Sequence, residues 1–250
     1  MEPIHQVQFT VTDLVADCFG NARLSALLYY VQEAAGQHSA LLGAGQKMLT
    51  EKGLFWAVSR HKMQITRLPR LGEVVTVQTW PMPTTRVAYP RSVVAIDSQG
   101  QELFRAISLW VLMDAESRSM ILPGKSGVDV AGTLRGNELE LPRSLAPLKL
   151  QSSAERVVTY SCLDRNGHMN NTRYLDWVDD LLPAAFHGAQ MPREFTVCYA
   201  SEALEGQTLR LDWQLGADGL LQVDAHRGQT DDSGKNTRVF SAQVAYSGFL

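Results

Sequence analysis

The sequence carries little sulfur for cross-linking: three cysteines, Cys18, Cys162 and Cys198, in 250 residues. They are too few and too scattered for a disulfide framework or a zinc knuckle, and a reducing, cytoplasmic setting is expected. Long hydrophobic runs are missing as well. The longest, Leu109-Trp110-Val111-Leu112-Met113, falls far short of the ~18 residues of a membrane span, so none is expected. The opening residues Met1-Glu2-Pro3-Ile4-His5-Gln6 have neither a basic nor an apolar region, and no secretory signal is expected. An excess of one charge is missing too: 23 basic against 26 acidic residues leave −3, which argues against a general nucleic-acid binder. No glycine-rich phosphate loop occurs, so nucleotide chemistry is unsupported. His5, His61, His187 and His226 lack ligand-spaced partners, so neither a metal nor a cofactor is expected. Trp56, Trp80, Trp110 and Met113 lie in apolar segments without interleaved cations, which reads as core and tunnel lining, not a base-stacking platform.

What is present is ordinary globular composition, 45% hydrophobic and 20% charged, in a length suited to one large domain or two small ones. The chain also repeats itself. Gly20-Asn21-Ala22-Arg23-Leu24 is echoed by Asn170-Asn171-Thr172-Arg173-Tyr174. Gly72-Glu73-Val74-Val75-Thr76-Val77 is echoed by Gly206-Gln207-Thr208-Leu209-Arg210-Leu211, and Phe104-Arg105-Ala106 by Phe240-Ser241-Ala242. The offsets are 150, 134 and 136 residues, in the same order in both halves, which points to a duplicated fold.

Each half reads as one helix followed by strands. Apolar residues at 24, 27, 28, 31, 34 and 35 give helical periodicity over Leu24 to Leu42. Tyr174, Leu175, Val178, Leu181 and Leu182 give a second helix from Asn170 until Pro183 breaks it. Strands are expected over Ala57–Thr66, Glu73–Trp80, Arg91–Ile96 and Glu102–Met113, and again over Phe195–Ala200, Thr208–Leu215, Gly219–His226 and Thr237–Tyr246. The Gly-, Pro- and charge-rich stretch 124–150 reads as a linker. The expected organisation is a first domain 1–125, a linker 126–150 and a second domain 151–250. Each domain is α+β, a long helix on an antiparallel sheet.

The densest polar cluster is Asp164-Arg165-Asn166-Gly167-His168-Met169-Asn170-Asn171, just before the second helix. An N-cap role explains Asn170 or Asn171 but not the Asp-x-Asn-x-His alternation. In an extended or turning segment Asp164, Asn166 and His168 point one way, and together they orient a water and donate to a developing oxyanion. The N-terminus of the helix behind them favours negative charge. Glu33 and His38, five apart on the first helix, do not share a face and read as a partly exposed pair, or as the relic of a second site.

The stretch Leu163 to Tyr174 resembles the active-site segment of acyl-ACP thioesterases, the plant enzymes and their bacterial relatives. So do Trp56-Ala57-Val58-Ser59-Arg60, Arg67-Leu68-Pro69, Leu71 to Trp80 and Arg105 to Met113. The resemblance runs from about residue 5 to the C-terminus. It implies two hotdog domains in tandem and hydrolysis of the thioester between a fatty acyl chain and the phosphopantetheine of acyl carrier protein. It carries the catalytic Asp, Asn and His onto Asp164, Asn166 and His168. It carries the catalytic Glu onto Glu202 of Tyr199-Ala200-Ser201-Glu202-Ala203. Ala203 stands where the family has a Cys, so a cysteine nucleophile is excluded there and carboxylate-activated water is preferred; which carboxylate is the base stays open. Cys162 and Cys198 read as small buried residues.

Further expectations follow from that resemblance. The first half binds the acyl chain between its long helix and a sheet bearing Trp56, Trp80 and Trp110. Acyl-CoA in place of the carrier-bound substrate, a non-catalytic acyl-binding module of the same fold, and a homodimer stay open. Residues 1–125 hold 12 basic and 10 acidic residues, and residues 126–250 hold 11 and 16. Arg60, Lys62, Arg67 and Arg70 lie in a window without an acidic residue, which makes them candidates for docking the acidic carrier.

Overall fold

The computed structural model describes residues 3–136, 139–230 and 236–248; residues 137 and 138 of the expected linker lie outside the described residues. The chain divides into two compact units, Met1–Pro142 and Arg143–Leu250.

The first unit runs β1 (His5–Thr10), α1 (Leu24–Leu41), α2 (Gln46–Glu51), β2 (Leu54–Ile65), β3 (Val74–Pro81), β4 (Tyr89–Ile96), β5 (Glu102–Asp114), β6 (Met120–Ile121) and α3 (Pro123–Ser126). Its strands pair antiparallel in the order β1-β3-β4-β5-β2, with β6 on β5. The periodicity of α1 does what the sequence implies: Leu27, Leu28, Val31 and Ala34 are fully buried. Each buried Leu or Val contributes about 1.5–3 kcal/mol, which holds this helix without any side-chain cap at Arg23. On β2 the expected alternation holds from Arg60 onward, with His61, Met63 and Ile65 buried.

The second unit runs β7 (Ser152–Val157), a 3₁₀ turn at Tyr160–Cys162, α4 (Arg173–Asp179), α5 (Ala184–Ala189), β8 (Pro192–Tyr199), β9 (Thr208–Leu215), β10 (Leu220–Thr230) and β11 (Asn236–Tyr246). Its order is β8-β11-β10-β9-β7, again antiparallel throughout. With β7 set for β1, β8 for β2 and so on, the two orders are the same. The duplication extends to irregularities. Pairing of β4 with β5 slips between Ala95 and Ile96 and leaves Leu103 extra; pairing of β10 with β11 slips between Ala225 and His226 and leaves Val239 extra.

Three expectations are corrected. The second helix is not long: α4 stops at Asp179, and α5 restarts after Pro183. A proline bars helical backbone at the residue before it and donates no N–H, so the apolar periodicity through Leu182 is interrupted. Second, β1 and β7 are additional strands; each buries only alternate side chains partway and so shows few apolar residues. Third, the first echo shifts by three residues. The bridges Ala16↔Ala22 and Leu163↔Met169 are equivalent, so Asp17–Asn21 matches Asp164–His168 at an offset of 147.

Candidate active site

Of the extended or turning segment expected over Asp164 to His168, the structure shows the turn, closed into a loop. Asp164 N donates to His168 O at 2.7 Å and Gly167 N to Asp164 O at 3.1 Å. Gly167 has φ +78°, a conformation that a side chain disfavours. The Asp164 carboxylate caps the loop from inside: Oδ1 accepts from Asn166 N at 2.8 Å and His168 N at 3.2 Å. Oδ2 lies 3.4 Å from Asn166 Nδ2. Convergence of the three residues therefore comes from a turn that Asp164 itself closes.

The loop is pinned on both sides. Asn170 N donates to Cys162 O, and Asn170 Oδ1 accepts from Thr172 N at 3.0 Å and Thr172 Oγ1 at 2.9 Å; this is a turn ahead of α4 and not the N-cap role considered for it, since Thr172 is the N-cap residue. Met169 N donates to Ala203 O at 2.8 Å, and His168 bridges Leu204. That backbone contact brings the Glu202 segment alongside, and Glu202 Oε2 lies 3.4 Å from His168 Nε2. His168 is half-buried and Glu202 is exposed at its side chain. The turn and the His168–Glu202 contact thus group Asp164, Asn166, His168 and Glu202 into one candidate site, contributed by two segments more than thirty residues apart.

Residues that the motif did not single out complete the surroundings. Tyr174, buried on α4, packs edge-to-face on Tyr199 at 5.5 Å and on Phe240 at 4.7 Å. Burial pushes its hydroxyl pKa up; the nearby Arg227 cation opposes that shift, and the Glu202 and Asp164 carboxylates add to it. Tyr199 Oη donates to Asn171 O at 2.8 Å, and burial raises its pKa strongly. Arg227, on β10, donates from Nη2 to the carbonyl of Glu202. Tyr174 was visible only as an apolar helix position; Arg227 left no signal, because its partner is a backbone atom.

Ala203 is buried and Cys162 and Cys198 are half-buried, not buried as expected. Cys198 Sγ donates to Arg143 O at 3.6 Å, and Cys162 Sγ lies 3.5 Å from Thr159 Oγ1, which keeps both near the surface. His38 is also corrected: it is buried, with Nδ1 3.1 Å from the buried Arg91 guanidinium, while Glu33 is exposed on another face and accepts from Gln37. Burial lowers the Arg91 pKa to about 10. Among the described residues no group of three His, Cys, Asp or Glu side chains is placed to hold a metal. No helix there is long and apolar enough to cross a membrane.

The tryptophans separate. Trp56 meets Tyr89 edge-to-face at 4.9 Å and donates from Nε1 to Ala44 O. Together with Trp110 it packs on a cluster of Leu49, Leu54, Tyr89 and Leu112. Trp80 is buried but sits next to Thr79, whose face of the sheet carries Arg91 and meets α1; strand alternation turns Trp80 to the opposite face. Of the docking candidates, Arg60 and Lys62 are half-buried on one face of β2, Arg60 donating to Pro142 O, and Arg70 is exposed. Arg67 is withdrawn from that set. Its guanidinium lies 2.6 Å from Glu73 and 2.8 Å from Asp97, acidic partners from outside the window.

Residues 2–122 match the family model for the acyl-ACP thioesterase N-terminal domain, and residues 146–238 match the model for the C-terminal domain. The chain is 29% identical over 219 residues to a chloroplastic palmitoyl-acyl carrier protein thioesterase of Gossypium hirsutum, covering 80% of this chain and 49% of that one. It is 24% identical to a chloroplastic oleoyl-acyl carrier protein thioesterase of Arabidopsis thaliana, covering 92% and 66%. The chain spans about half the length of the first of these curated relatives. Among solved structures, an acyl-ACP thioesterase from Bacteroides thetaiotaomicron superposes with a TM-score of 0.87 at 25% identity over 98% of both chains. The 12:0-ACP thioesterase from Umbellularia californica does so at 0.80 and 20%, over 98% of both. The fold is two hotdog domains in tandem.

Proposed function

The chain belongs to the acyl-ACP thioesterase family, and from that premise we propose that it hydrolyses the thioester joining a fatty acyl chain to the phosphopantetheine of acyl carrier protein. The observation that carries the reading is the pairing of Glu202 with His168 at 3.4 Å beside the Asp164–Asn166 loop. It also supports a choice between the carboxylates. Asp164 is engaged by the N–H groups of its own loop, so it is the loop's organiser, and Glu202 is the base.

In this reading Glu202 takes a proton from a water that His168 Nε2 orients. The water oxygen bonds to the thioester carbon, and Asn166 Nδ2 donates to the oxygen on which negative charge builds. The carbon–sulfur bond then breaks, the electron pair leaves on sulfur, and the proton held by Glu202 passes to the thiolate. The products are the free fatty acid and the carrier thiol. The first unit takes the acyl chain against the α1-side face that bears Trp56 and Trp110, because each CH₂ removed from water contributes about 0.8 kcal/mol. Arg60, Lys62 and Arg70 meet the acidic carrier.

Free thiol released from a panel of acyl-ACPs and acyl-CoAs of graded chain length tests the proposal. Turnover on acyl-ACP at least tenfold above that on the matching acyl-CoA is expected. Turnover on acyl-CoA alone identifies the wrong carrier, and tight acyl binding without release of thiol replaces hydrolysis by a binding role.

A further inference from the structure

Glu202 lies in a loop outside helix and strand, so the backbone that bears its carboxylate is placed by individual hydrogen bonds and not by a ladder. Ala200 N and Ser201 N donate to the carbonyl of the extra residue Val239, at 2.8 and 3.2 Å, and Ala203 O accepts from Met169 N at 2.8 Å. These bonds have counterparts in the first unit, where Thr66 N and Arg67 N donate to Leu103 O and Ala22 N donates to Pro69 O. The bond from Arg227 Nη2 to Glu202 O has none. Strand register makes Asp97 the counterpart of Arg227, since Ala95 faces Val77 as Ala225 faces Leu211. Asp97 accepts from Arg67 and touches no carbonyl of that loop through a guanidinium.

Arg227 is thus an addition confined to the unit that bears the His–Glu pair. It is also costly to place. Its Nε is buried and has no hydrogen-bond partner among the described residues, a penalty that a fold without further use for the guanidinium has no reason to carry. Its charge reaches Tyr174, as those of Glu202 and Asp164 do, which places it beside the site and not at the far end of β10.

We infer that Arg227 is a positioning residue for the hydrolysis: it clamps the Glu202 carbonyl and so holds the Glu202 carboxylate beside His168 Nε2. The inference rests on the function proposed above. Loss of the clamp leaves substrate binding in place and lets the base wander, and misplacement of about 1 Å costs up to 10²-fold in rate.

The test combines kinetics of the full chain with the resonances of the His168 ring in the substrate-free protein. Arg227→Met should lower kcat about 10- to 100-fold with KM for acyl-ACP within about twofold. Arg227→Lys, which keeps one donor, should recover most of that loss. In a Glu202→Gln background Arg227→Met should cost nothing more, because both changes act on one group. A full additional loss in that background, or a raised KM at unchanged kcat, overturns the clamp. The His168 ring resonances should shift in Arg227→Met and return in Arg227→Lys. Unmoved resonances overturn the clamp whether or not the protein hydrolyses anything. A wild-type chain inactive on every thioester, with shifting His168 resonances, overturns the functional reading and leaves the clamp standing. Should Arg227→Met not fold, Arg227→Lys alone decides: native resonances and kcat within about fivefold of wild type support the clamp, and a loss as large as that of Glu202→Gln overturns it.

Discussion

Asp17–Asn21 in the first unit and Asp164–His168 in the second are built on one backbone plan. Asp17 Oδ1 accepts from Phe19 N and Asn21 N, both at 2.8 Å, as Asp164 Oδ1 accepts from Asn166 N and His168 N. Asp17 N donates to Asn21 O at 2.7 Å, and Gly20 has the same φ of +78° as Gly167. The side chains differ at four places. Cys18 stands for Arg165, Phe19 for Asn166, Asn21 for His168, and Leu68 for Glu202 by the equivalence of Pro69 with Ala203. One aspartate and one glycine therefore suffice for the frame, and the chemistry proposed above falls on three of the positions that the frame leaves free.

The strongest way to break that contrast is to write the first unit's residues into the second. His168→Asn and Glu202→Leu should each lower kcat by roughly 10²–10⁴-fold, with the melting temperature nearly unchanged. Near-wild-type release of thiol from acyl-ACP would remove that residue from the mechanism.

A smaller effect separates frame from chemistry. Gly20→Ala and Gly167→Ala meet little steric obstruction, since the nearest atom to either new Cβ is Leu71 Cβ, 4.0 Å from that at Gly20. Positive φ alone should cost each about 1–2 kcal/mol, which thermal unfolding reads as a drop of several degrees. Turnover should fall, by about tenfold, only in Gly167→Ala. Equal losses of kcat in both variants would mean that the loops are not independent.

The cores differ as well. His61 and Ser108, joined at 2.7 Å, occupy the register positions of Phe195 and Val244. Burial lowers the His61 pKa to about 3, so the folded protein keeps the ring neutral while the unfolded chain takes up a proton below about 6.5. Stability is therefore full above that value and falls as pH drops, by up to about 1.4 kcal/mol per pH unit. His61→Phe with Ser108→Val should flatten the urea midpoint between about pH 6.5 and 5. An unchanged acid slope would assign the loss to other groups.

Smallest of all is the expected effect of charge on the first unit. The value of kcat/KM for acyl-ACP should fall a fewfold, roughly two to five, when salt is raised, and that for acyl-CoA should fall much less. Arg60→Glu with Lys62→Glu should reproduce this selectively. Equal salt sensitivity for both substrates would end the docking assignment and leave His168 and Glu202 untouched.

The strands that alternate one buried face were legible in advance, as β2 from Arg60 and β9 as far as Leu211 illustrate. The strands β1 and β7 were not, because their few half-buried positions give a weak pattern. The break at Pro183 was read from the sequence, but apolar periodicity through Leu182 carried the second helix three residues past its end at Asp179. In the candidate site, the grouping of Asp164, Asn166 and His168 was readable from local spacing, which allowed an extended or a turning segment; the closed turn that the structure shows needed the Asp164 carboxylate to be seen accepting from its own loop. Glu202 was visible only through family resemblance, because the Met169–Ala203 bond that delivers it joins backbone atoms and leaves no mark on side-chain choice. The same is true of Arg227. Arg67 was misjudged because its partners, Glu73 and Asp97, are brought near by β3 and β4.

The break at Pro183 has a consequence for the timescales on which the site moves. A helix of 18 residues such as α1 closes about fourteen internal hydrogen bonds, whereas the seven residues of α4 close about three. The element that anchors the downstream end of the Asp164 loop is thus held by the packing of Tyr174, Leu175, Trp177 and Val178, with little support from its own backbone. Its amides should exchange with solvent well before those of α1, in openings that leave the sheet intact. The Asp164–His168 loop therefore hangs from a hinge and its counterpart from a beam, so breathing of the unit that bears the His–Glu pair should begin at α4.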